Sequence, residues 1–559
     1  MLEQKPWFKF YPKDVPPKID YPRIPLFGLL EEASEKYPEN VALIFEGFKI
    51  TYRRLKELTD RFASALHSLG VRKGDVVALF LPNVPQFVIG YYGVLKAGGV
   101  VTALSPLYKE KEVEYQLKDS EAVMVIVLDL LYPTLKNVLG KTKVKKVIVT
   151  SISEYLPSAK KILGKIFRKI PSLKVRKEER VYFFREILAE YPPKPPKVEV
   201  KPEDLAILQY TGGTTGVPKG AMLTHANLVA NAIQCKYWIP EKTGEGVILG
   251  VLPLFHIYGM TVVMNLCIAN CSTMVLLPGF EVEKVLKTVE KYKVTEIPGA
   301  PTMYTLIVNH PKASKYDLSS VKFCISGAAP LPPAIQKKFM ELTGGVLVEG
   351  YGLTEASPVT HANPLDKTMK TVKIGSIGIP WPDTEAKIVD VETGMRELPP
   401  GEVGELIVKG PQVMKGYWKN PRETEEALRD GWLYTGDIGR MDEDGYFYIV
   451  DRKKDLIKYK GYSVYPREIE DVLYENPAVK LCAVIGKPDP VAGEIPKCFI
   501  VLKEGMKVTE KEIIDFVRGR VAPYKVIREV EFRKDLPTTI TGKVLRRVLR
   551  EEELKKVKQ

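Results

Sequence analysis

The sequence predicts an α/β protein, in which a large N-terminal α/β domain of several subdomains precedes a smaller α+β C-terminal domain. Short runs of β-branched and apolar residues alternate with helical segments through the N-terminal part. Runs of this kind indicate a parallel sheet that helices cover on both faces. The chain has 559 residues, which is more than one hydrophobic core usually organises, so at least two domains are expected.

The elements follow in order along the chain. In the N-terminal part the pattern predicts a helix that closes at 64–70, further helices at 86–98 and 334–342, and strands at 74–81, 100–104, 124–128, 144–150 and 321–326. A proline-rich, extended connector occupies 191–196. Beyond residue 450 the pattern predicts helices at 465–475 and 510–520 and strands at 482–485, 497–502 and 530–533. We therefore expect one domain over 1–450 and another over 451–559.

The composition favours an ordinary globular protein over a nucleic-acid-binding one. Hydrophobic residues make up 45% and charged residues 27% of the chain, and the net charge is +14. A positive excess favours anionic partners such as phosphorylated cofactors, but it is mild over this length, and no nucleic-acid-binding motif accompanies it. The six cysteines form no C-x-x-C pair and have no His cluster beside them, so buried reduced thiols and a cytoplasmic location are expected rather than a zinc site.

No signal peptide and no membrane span are predicted. Residues 247–280 contain no Asp, Glu, Lys or Arg, yet prolines, asparagines and a histidine interrupt them, so a strand, a loop, a buried helix and a second strand fit better. The basic segment Lys160–Ile170 has apolar residues at helical spacing. It is interpreted as a surface helix, and peripheral contact with the inner face of a membrane is the alternative.

The strongest local motif is the run from Tyr210 to Gly220, which reads YTGGTTGVPKG and follows an apolar strand at 205–208. Its glycines allow the backbone to approach a ligand closely, and its threonines and Lys219 supply hydrogen-bond donors and a positive charge. The run differs from G-x-x-x-x-G-K-[ST], because Val217 and Pro218 separate Lys219 from the preceding glycine. It predicts a loop that binds a polyphosphate.

This loop resembles the phosphate loop of the adenylate-forming superfamily, which includes acyl-CoA synthetases, firefly luciferases and peptide-synthetase adenylation domains. Further runs look like the family's other motifs, in family order: LPLFHIYG at 252–259, SGAAPL at 326–331, GYGLTEA at 350–356, GELIVKG at 404–410, YTGDI at 434–438, DRKKD at 451–455 and PTTITGK at 537–543. The N-terminal third is similar to long-chain fatty-acid–CoA ligases.

The resemblance implies a two-step reaction. A carboxylate attacks the α-phosphorus of ATP and releases pyrophosphate, and the acyl-adenylate then gives its acyl group to the thiol of coenzyme A. Because an anion attacks a polyanion, the catalyst must position the reactants and neutralise charge, partly with Mg²⁺.

The resemblance also implies roles for individual residues. Thr211 and Glu355 would hold Mg²⁺, and Asp437 and Arg452 the ribose. Tyr351 would stack on the adenine. The remaining ATP-binding positions would surround the phosphates or the adenine, and they are Gly212, Gly213, Thr214, Thr215, Gly216, Lys219, Gly327, Ala328, Gly350, Gly352 and Thr354.

The C-terminal domain of this family is mobile, and its residues carry further expectations. Lys543 would bridge the acyl carboxylate to the α-phosphate, and Asp451 would be the hinge. After rotation, Lys458 would assist thioester formation and Gly461 would let pantetheine pass. A solvated lysine and a loop glycine are the alternatives for the last two.

Two positions in the N-terminal domain are expected on the acyl or thiol path. Ala300 would border the acyl pocket. His256 would lie between that pocket and the thiol path, and a structural histidine is an equal alternative.

The function expected from these motifs is ATP-dependent ligation of a medium- or long-chain fatty acid to coenzyme A. An aryl or hydroxycinnamate–CoA ligase, and an acyl-AMP ligase that loads a carrier protein, remain alternatives. A catalytically silent binding protein would have no reason to keep Lys219, Glu355, Asp437, Arg452 and Lys543 together. A homodimer is a further open hypothesis.

Overall fold

The structure is a computed structural model that describes residues 5–158, 160, 171–211, 218–460, 462–538 and 544–558. The chain divides into two compact units. The first comprises Trp7–Glu385 and Lys409–Leu433, and the second comprises Met1–Pro6, Ala386–Val408 and Tyr434–Gln559. This division does not test the domain boundary predicted between residues 450 and 451, which remains a prediction.

The strands are numbered along the chain. They are β1 Val41–Phe45, β2 Phe48–Thr51, β3 Val76–Phe80, β4 Val100–Ala103, β5 Met124–Leu128, β6 Lys146–Thr150, β7 Val181–Phe183, β8 Leu205–Thr211, β9 Lys219–Thr224, β10 Val247–Gly250, β11 Thr273–Leu276, β12 Phe323–Ser326, β13 Val346–Gly352, β14 Val359–Ala362, β15 Ile379–Pro380, β16 Glu385–Val389, β17 Gly404–Lys409, β18 Gly416–Tyr417, β19 Leu428–Arg429, β20 Trp432–Met441, β21 Phe447–Arg452, β22 Ile457–Tyr459, β23 Tyr462–Val464, β24 Val479–Asp489, β25 Gly493–Leu502 and β26 Glu529–Phe532.

The α-helices of the described residues are numbered in the same way. They are α1 Phe27–Lys36, α2 Tyr52–Ser68, α3 Pro85–Lys96, α4 Glu110–Asp119, α5 Tyr132–Leu139, α6 Phe184–Glu190, α7 His225–Trp238, α8 Ile257–Gly259, α9 Leu266–Ala269, α10 Val282–Tyr292, α11 Pro301–Val308, α12 Pro333–Thr343, α13 Pro421–Ala427, α14 Pro466–Tyr474, α15 Glu510–Arg518 and α16 Arg546–Lys558.

An eight-stranded sheet forms the centre of the first unit, in the order β18-β9-β8-β4-β3-β5-β6-β7. The six strands from β8 to β7 run parallel, whereas β9 and β18 are antiparallel to their neighbours. Strands β3 and β5 are buried along their whole length, because every side chain in them is apolar and helices cover the sheet. The α/β fold class is confirmed.

A second parallel array in the same unit joins strands that lie far apart in sequence. β10 pairs parallel with β11, and β12 pairs parallel with β13. Parallel bridges join Ile248 to Glu296, Glu296 to Phe323, and Gly299 to Ser326. The carboxyl ends of these segments therefore lie along one edge.

The uncharged stretch 247–280 is part of this array. It forms β10, a buried helical run from Ile257 to Ala269 with a π-helical segment at Met260–Asn265, and β11. The predicted strand, loop, buried helix and second strand are confirmed. In the part of the chain that the structure describes, no helix is both long and apolar enough to cross a bilayer.

The second unit contains the five-stranded sheet β23-β22-β25-β24 with β26 beside β25, and β16, β17, β20 and β21 lie wholly or mostly within it. The long hairpin β24–β25 packs against α14 and α16. Two apolar clusters fill this part, and their buried members all lie between residues 457 and 549. The predicted small α+β set of elements is present here.

All six cysteines are buried as free thiols. Burial raises the pKa of Cys324 and of Cys267, so these thiols stay protonated at neutral pH. The reduced, buried state expected from their apolar neighbours is confirmed.

Candidate active site

The carboxyl edge of the parallel array in the first unit gathers several of the predicted site residues. Ala300 follows the segment that contains Gly299, Gly327 and Ala328 follow β12, and Tyr351 lies at the end of β13. Ligands of open α/β sheets bind at the carboxyl ends of the strands, where backbone groups and loop residues converge. These positions were predicted from separate motifs, and the fold brings them to one edge.

The glycines at this edge are required by close packing. A Cβ at Gly327 would lie 2.9 Å from the Tyr258 ring, and a Cβ at Gly350 would lie 2.7 Å from Ile325 Cγ2. At Gly352 a Cβ would lie 2.1 Å from the carbonyl oxygen of Pro358. Only glycine therefore fits on either side of Tyr351 without a shift of its neighbours.

Tyr351 itself is half-buried, and its ring meets the His361 ring edge-on at a centroid distance of 6.0 Å. Ala328, across the edge, adopts a left-handed backbone conformation with φ of 71°. Residues other than glycine rarely adopt this conformation, and such residues concentrate at functional sites. Thr354 begins a 3-10 turn, Thr354–Ala356, directly after this strand.

The phosphate-loop motif begins and ends on an antiparallel hairpin. Thr211 at the end of β8 is the direct cross-strand partner of Lys219 at the start of β9. The loop residues Gly212, Gly213, Thr214, Thr215 and Gly216 lie outside the described residues. The hairpin thus places a hydroxyl and an ammonium opposite each other at the two ends of the loop.

A chain of polar contacts connects this hairpin to Glu355. The Lys219 ammonium forms an ion pair with Glu423 and lies 5.4 Å from the centroid of the Tyr417 ring. The Tyr417 hydroxyl donates to Glu355 Oε1 over 2.7 Å. Strand β18, which carries Tyr417, pairs with β9, and the backbone N–H of Met414 donates to the Glu355 carbonyl over 2.8 Å. The 3-10 turn that carries Glu355 also packs on β9.

The protonation of Tyr417 follows from its surroundings. Burial, and then the Glu355 carboxylate beside it, raise the pKa of the Tyr417 hydroxyl. The hydroxyl therefore remains a donor at neutral pH and holds one oxygen of Glu355 in place.

Glu355 and Thr211 provide the kind of oxygen ligands that Mg²⁺ takes. Among the described residues, no group of three or more His, Cys, Asp or Glu side chains could hold a metal by itself. Mg²⁺ in nucleotide sites is usually bound through one or two carboxylates together with phosphate oxygens and water, so a full protein cage is not required. The donor set fits such an ion.

His256 is exposed at the start of the buried helical run, and its Nδ1 accepts a hydrogen bond from the Tyr258 N–H over 3.2 Å. Desolvation by the surrounding protein nevertheless lowers its pKa. The Tyr258 hydroxyl donates to the carbonyl of Ile325 over 3.0 Å, which ties this segment to the edge that carries Gly327 and Ala300.

In the second unit, Asp437 and Arg452 are direct cross-strand partners on β20 and β21. The Arg452 Nε lies 3.0 Å from Asp437 Oδ1, and the Asp437 side chain is 5% exposed. The neighbouring Gly436 N–H donates to Glu405 Oε1 over 3.1 Å. This ion pair is preorganised by strand pairing, as a pair that binds vicinal hydroxyls would need to be.

The predicted hinge residue Asp451 is buried at the end of β21. Its Oδ1 accepts from the Arg452 N–H over 2.8 Å, and its Oδ2 accepts from the Arg467 N–H over 2.7 Å. Lys458 is exposed on β22, and its backbone N–H donates to Glu494 Oε2 over 2.9 Å. Gly461 and Lys543 lie outside the described residues, as do residues 161–170 of the basic segment.

The sequence did not predict two residues that contact the site in the first unit, and these are Tyr417 and Glu423. Each contacts a motif residue that is distant in sequence: 62 positions separate Tyr417 from Glu355, and 204 separate Glu423 from Lys219. No local pattern signals such a pairing. The aromatic pair Tyr417 and Trp418 was the sequence feature that came nearest to indicating a contact with the site.

Two family models match the chain. The model described as AMP-binding enzyme matches residues 30–418, and the model described as AMP-binding enzyme C-terminal domain matches residues 468–543. Five of the predicted site residues lie between the two matches, namely Asp437, Asp451, Arg452, Lys458 and Gly461, and the others lie within them.

Full-length relatives and solved structures agree with these matches. The chain is 48% identical to the long-chain-fatty-acid–CoA ligase of Bacillus subtilis (strain 168) and 40% identical to that of Escherichia coli O6:H1, with 99% of each chain covered in both cases. It is 36% identical to the 4-coumarate–CoA ligase-like 9 protein of Oryza sativa subsp. japonica, with 98% of this chain and 96% of the relative covered.

Among solved structures, ATP-bound MatB from Rhodopseudomonas palustris aligns with a TM-score of 0.83 at 30% identity, covering 95% of this chain and 99% of the other. The Mycobacterium tuberculosis fatty acyl CoA synthetase aligns with a TM-score of 0.74 at 28% identity, covering 94% and 98%. The chain therefore belongs to the AMP-binding enzyme family, the adenylate-forming ligases whose motifs its sequence carries.

Proposed function

We propose that this protein is an ATP-dependent acyl-CoA ligase that converts a medium- or long-chain fatty acid, through an acyl-AMP intermediate, to acyl-CoA, AMP and pyrophosphate. The observation that carries the proposal is the full-length match to relatives named long-chain-fatty-acid–CoA ligase, at 48% and 40% identity. The proposed substrates are the fatty acid, ATP and coenzyme A, with Mg²⁺ as the metal.

In the first unit, the hairpin residues Thr211 and Lys219 would bind the phosphates together with the loop between them. Tyr351 would stack on the adenine between closely packed backbone segments. Glu355, oriented by Tyr417, would hold Mg²⁺, which when bound neutralises phosphate charge. His256 and Ala300 would border the path of the acyl chain and the thiol, and the contacts of Tyr258 support this placement.

In the second unit, Asp437 and Arg452 would bind the ribose hydroxyls, and Asp451 would be the hinge. Lys543 would bridge the acyl carboxylate and the α-phosphate in the first step. Lys458 and Gly461 would serve the thioester step. The cross-strand ion pair and the fully bonded Asp451 carboxylate support the first two assignments.

An aryl-acid CoA ligase is the second candidate, because the chain is also similar along nearly its whole length to a 4-coumarate–CoA ligase-like protein. The two candidates share the nucleotide chemistry and differ in the shape of the acyl pocket. Transfer of the acyl group to a carrier protein would differ only in the thiol acceptor.

The test is a panel of acids from acetate through palmitate to coumarate, scored for CoA-dependent formation of AMP. Turnover that rises with chain length supports the proposal, and a preference for coumarate supports the second candidate. The Lys543→Ala protein is the control, because it should lose acid-dependent pyrophosphate release and keep thioester formation from supplied acyl-adenylate. No acyl-adenylate from any acid would overturn the proposal.

The cytoplasm is the proposed compartment, and six buried free thiols support it. Peripheral contact of the basic segment with an anionic membrane, and a homodimer, stay hypotheses. Flotation with anionic vesicles tests the first, and sedimentation tests the second.

A further inference from the structure

Arg546, the first residue of α16, contacts three carboxylates of the second unit. Its Nη1 donates to Asp451 Oδ1 over 3.0 Å and to Asp455 Oδ2 over 3.1 Å. Its Nε lies 3.0 Å from Glu470 Oε1, and its Nη2 contacts Glu470 Oε2. The guanidinium thus holds Glu470 through two parallel contacts and bridges the other two acids, which a lysine ammonium could not reproduce.

This cluster is buried. The Arg546 side chain is 16% exposed, and those of Asp451, Asp455 and Glu470 are 1%, 11% and 12% exposed. Burial alone would lower the pKa of Arg546, but Glu470 and Asp451 outweigh it and raise that pKa, so the charge is permanent. Solvent screens such contacts much less than surface pairs, so the geometry is held firmly.

Arg546 also lies close to the base of the loop that carries Lys543. Thr538 and Val544 form an antiparallel bridge, and the Leu545 N–H donates to the Pro537 carbonyl over 2.8 Å. Leu536 before the bridge and Leu549 after it are buried in one apolar cluster. The arginine therefore follows the closed base of this loop by two residues.

A second arginine of α16 supports the same connection. Arg550 Nη1 donates to the Lys454 carbonyl over 2.8 Å, and its Nη2 donates to the Asp455 carbonyl over 2.9 Å. Both arginines lie on one helix and hold the segment just after the hinge residue.

We infer that Arg546 is a positioning residue for acyl-adenylate formation, because it links the base of the Lys543 loop to the hinge residue Asp451. The inference rests on the proposed function. On this inference a buried ion cluster acts without contacting the substrate, and it fixes the position of the loop base relative to Asp451. The adenylation step is assigned to Lys543, whereas the thioester step is assigned to Lys458 and Gly461, of which Lys458 lies on β22.

The test is Arg546→Lys, which keeps the positive charge among the carboxylates and removes the planar fork. We expect the kcat for pyrophosphate release without coenzyme A to fall about tenfold or more, because a small misplacement of a reacting group is costly. Thioester formation from supplied acyl-adenylate should change less than about twofold, since its residues are elsewhere. The melting temperature is measured in parallel.

The matched control is Arg547→Lys, on the next residue of the same helix. Arg547 pairs with Glu551 at the surface, where the two side chains are 50% and 51% exposed, and both half-reactions should stay unchanged. An equal loss in both half-reactions of Arg546→Lys, or no loss in adenylation, would overturn the inference.

If Arg546→Lys does not fold, Asp455→Asn removes one arm of the cluster and should lower adenylation selectively; a proportionate loss in both steps again overturns the inference. A wild-type protein that forms no acyl-adenylate from any acid overturns the proposed function instead. The two failures are therefore distinguishable.

Discussion

At the scale of single residues, the Tyr417 hydroxyl is the contact that orients Glu355. In Tyr417→Phe the carboxylate loses a donor at 2.7 Å, so we expect kcat for adenylation to fall about tenfold and the apparent affinity for Mg²⁺ to weaken. Initial rates at varied Mg²⁺ measure both effects.

The matched control for Tyr417→Phe is Tyr21→Phe. The Tyr21 hydroxyl also donates to a carboxylate, Asp383, over 2.9 Å, and Asp383 is not one of the predicted site residues. This variant should lose about 1 kcal/mol of folding free energy and no catalytic rate. Unchanged turnover in Tyr417→Phe would contradict the proposed role of Tyr417 in orienting Glu355.

Glu296 is a buried acid whose charge state should couple stability to pH. Burial, and then the neighbouring Glu241, raise its pKa from 4.5 to about 8, while Lys322 opposes the shift. The folded protein therefore holds a proton that the unfolded chain releases between these two values, and stability should decrease as pH rises through that window.

Glu296→Gln should flatten this pH dependence by on the order of a few kcal/mol, measured by urea unfolding between pH 5 and about pH 9. The exposed neighbour Glu245→Gln is the control and should leave the slope unchanged. A slope that survives in Glu296→Gln would assign the effect to another group.

At the scale of elements, the N-terminal segment is held to the first unit through Asp383. Its Oδ2 accepts from the Ile19 N–H over 2.8 Å and from the Tyr21 hydroxyl. Asp383 has a left-handed backbone with φ of 57°, which asparagine tolerates. Asp383→Asn should therefore cost about 2 kcal/mol through weakened hydrogen bonds and speed proteolysis within residues 5–26. Asp14→Asn, exposed in the same segment, should do neither.

Elements with a strong local pattern were predictable from the sequence. The strand at 124–128 matches β5, and the helix at 334–342 differs from α12 by one residue at each end. Contacts between distant segments were not predictable from the sequence. Nothing in the sequence around Arg546 indicates that it would pair with Asp451, which is 95 positions away. The resemblance to a known family predicted the motif residues at the carboxyl edge. Strand pairing in the structure shows that they lie at the same edge.

At the scale of the whole molecule, the boundary predicted at 450–451 can be tested with a fragment. The buried members of both apolar clusters in this region lie between residues 457 and 549, so residues 451–559 should fold alone and unfold cooperatively by circular dichroism. Ile469→Asp places a charge in that core and should abolish the transition. If the fragment itself shows no transition, the domain also needs residues 386–408 and 434–450.

The buried thiols have a practical consequence. Cys235, Cys267, Cys271 and Cys324 belong to the first unit, and Cys482 and Cys498 to the second. Because none is accessible in the native fold, an alkylating reagent can modify each only when its surroundings open. Mass spectrometry of the labelled peptides would then time the opening of either unit separately, with no engineered probe.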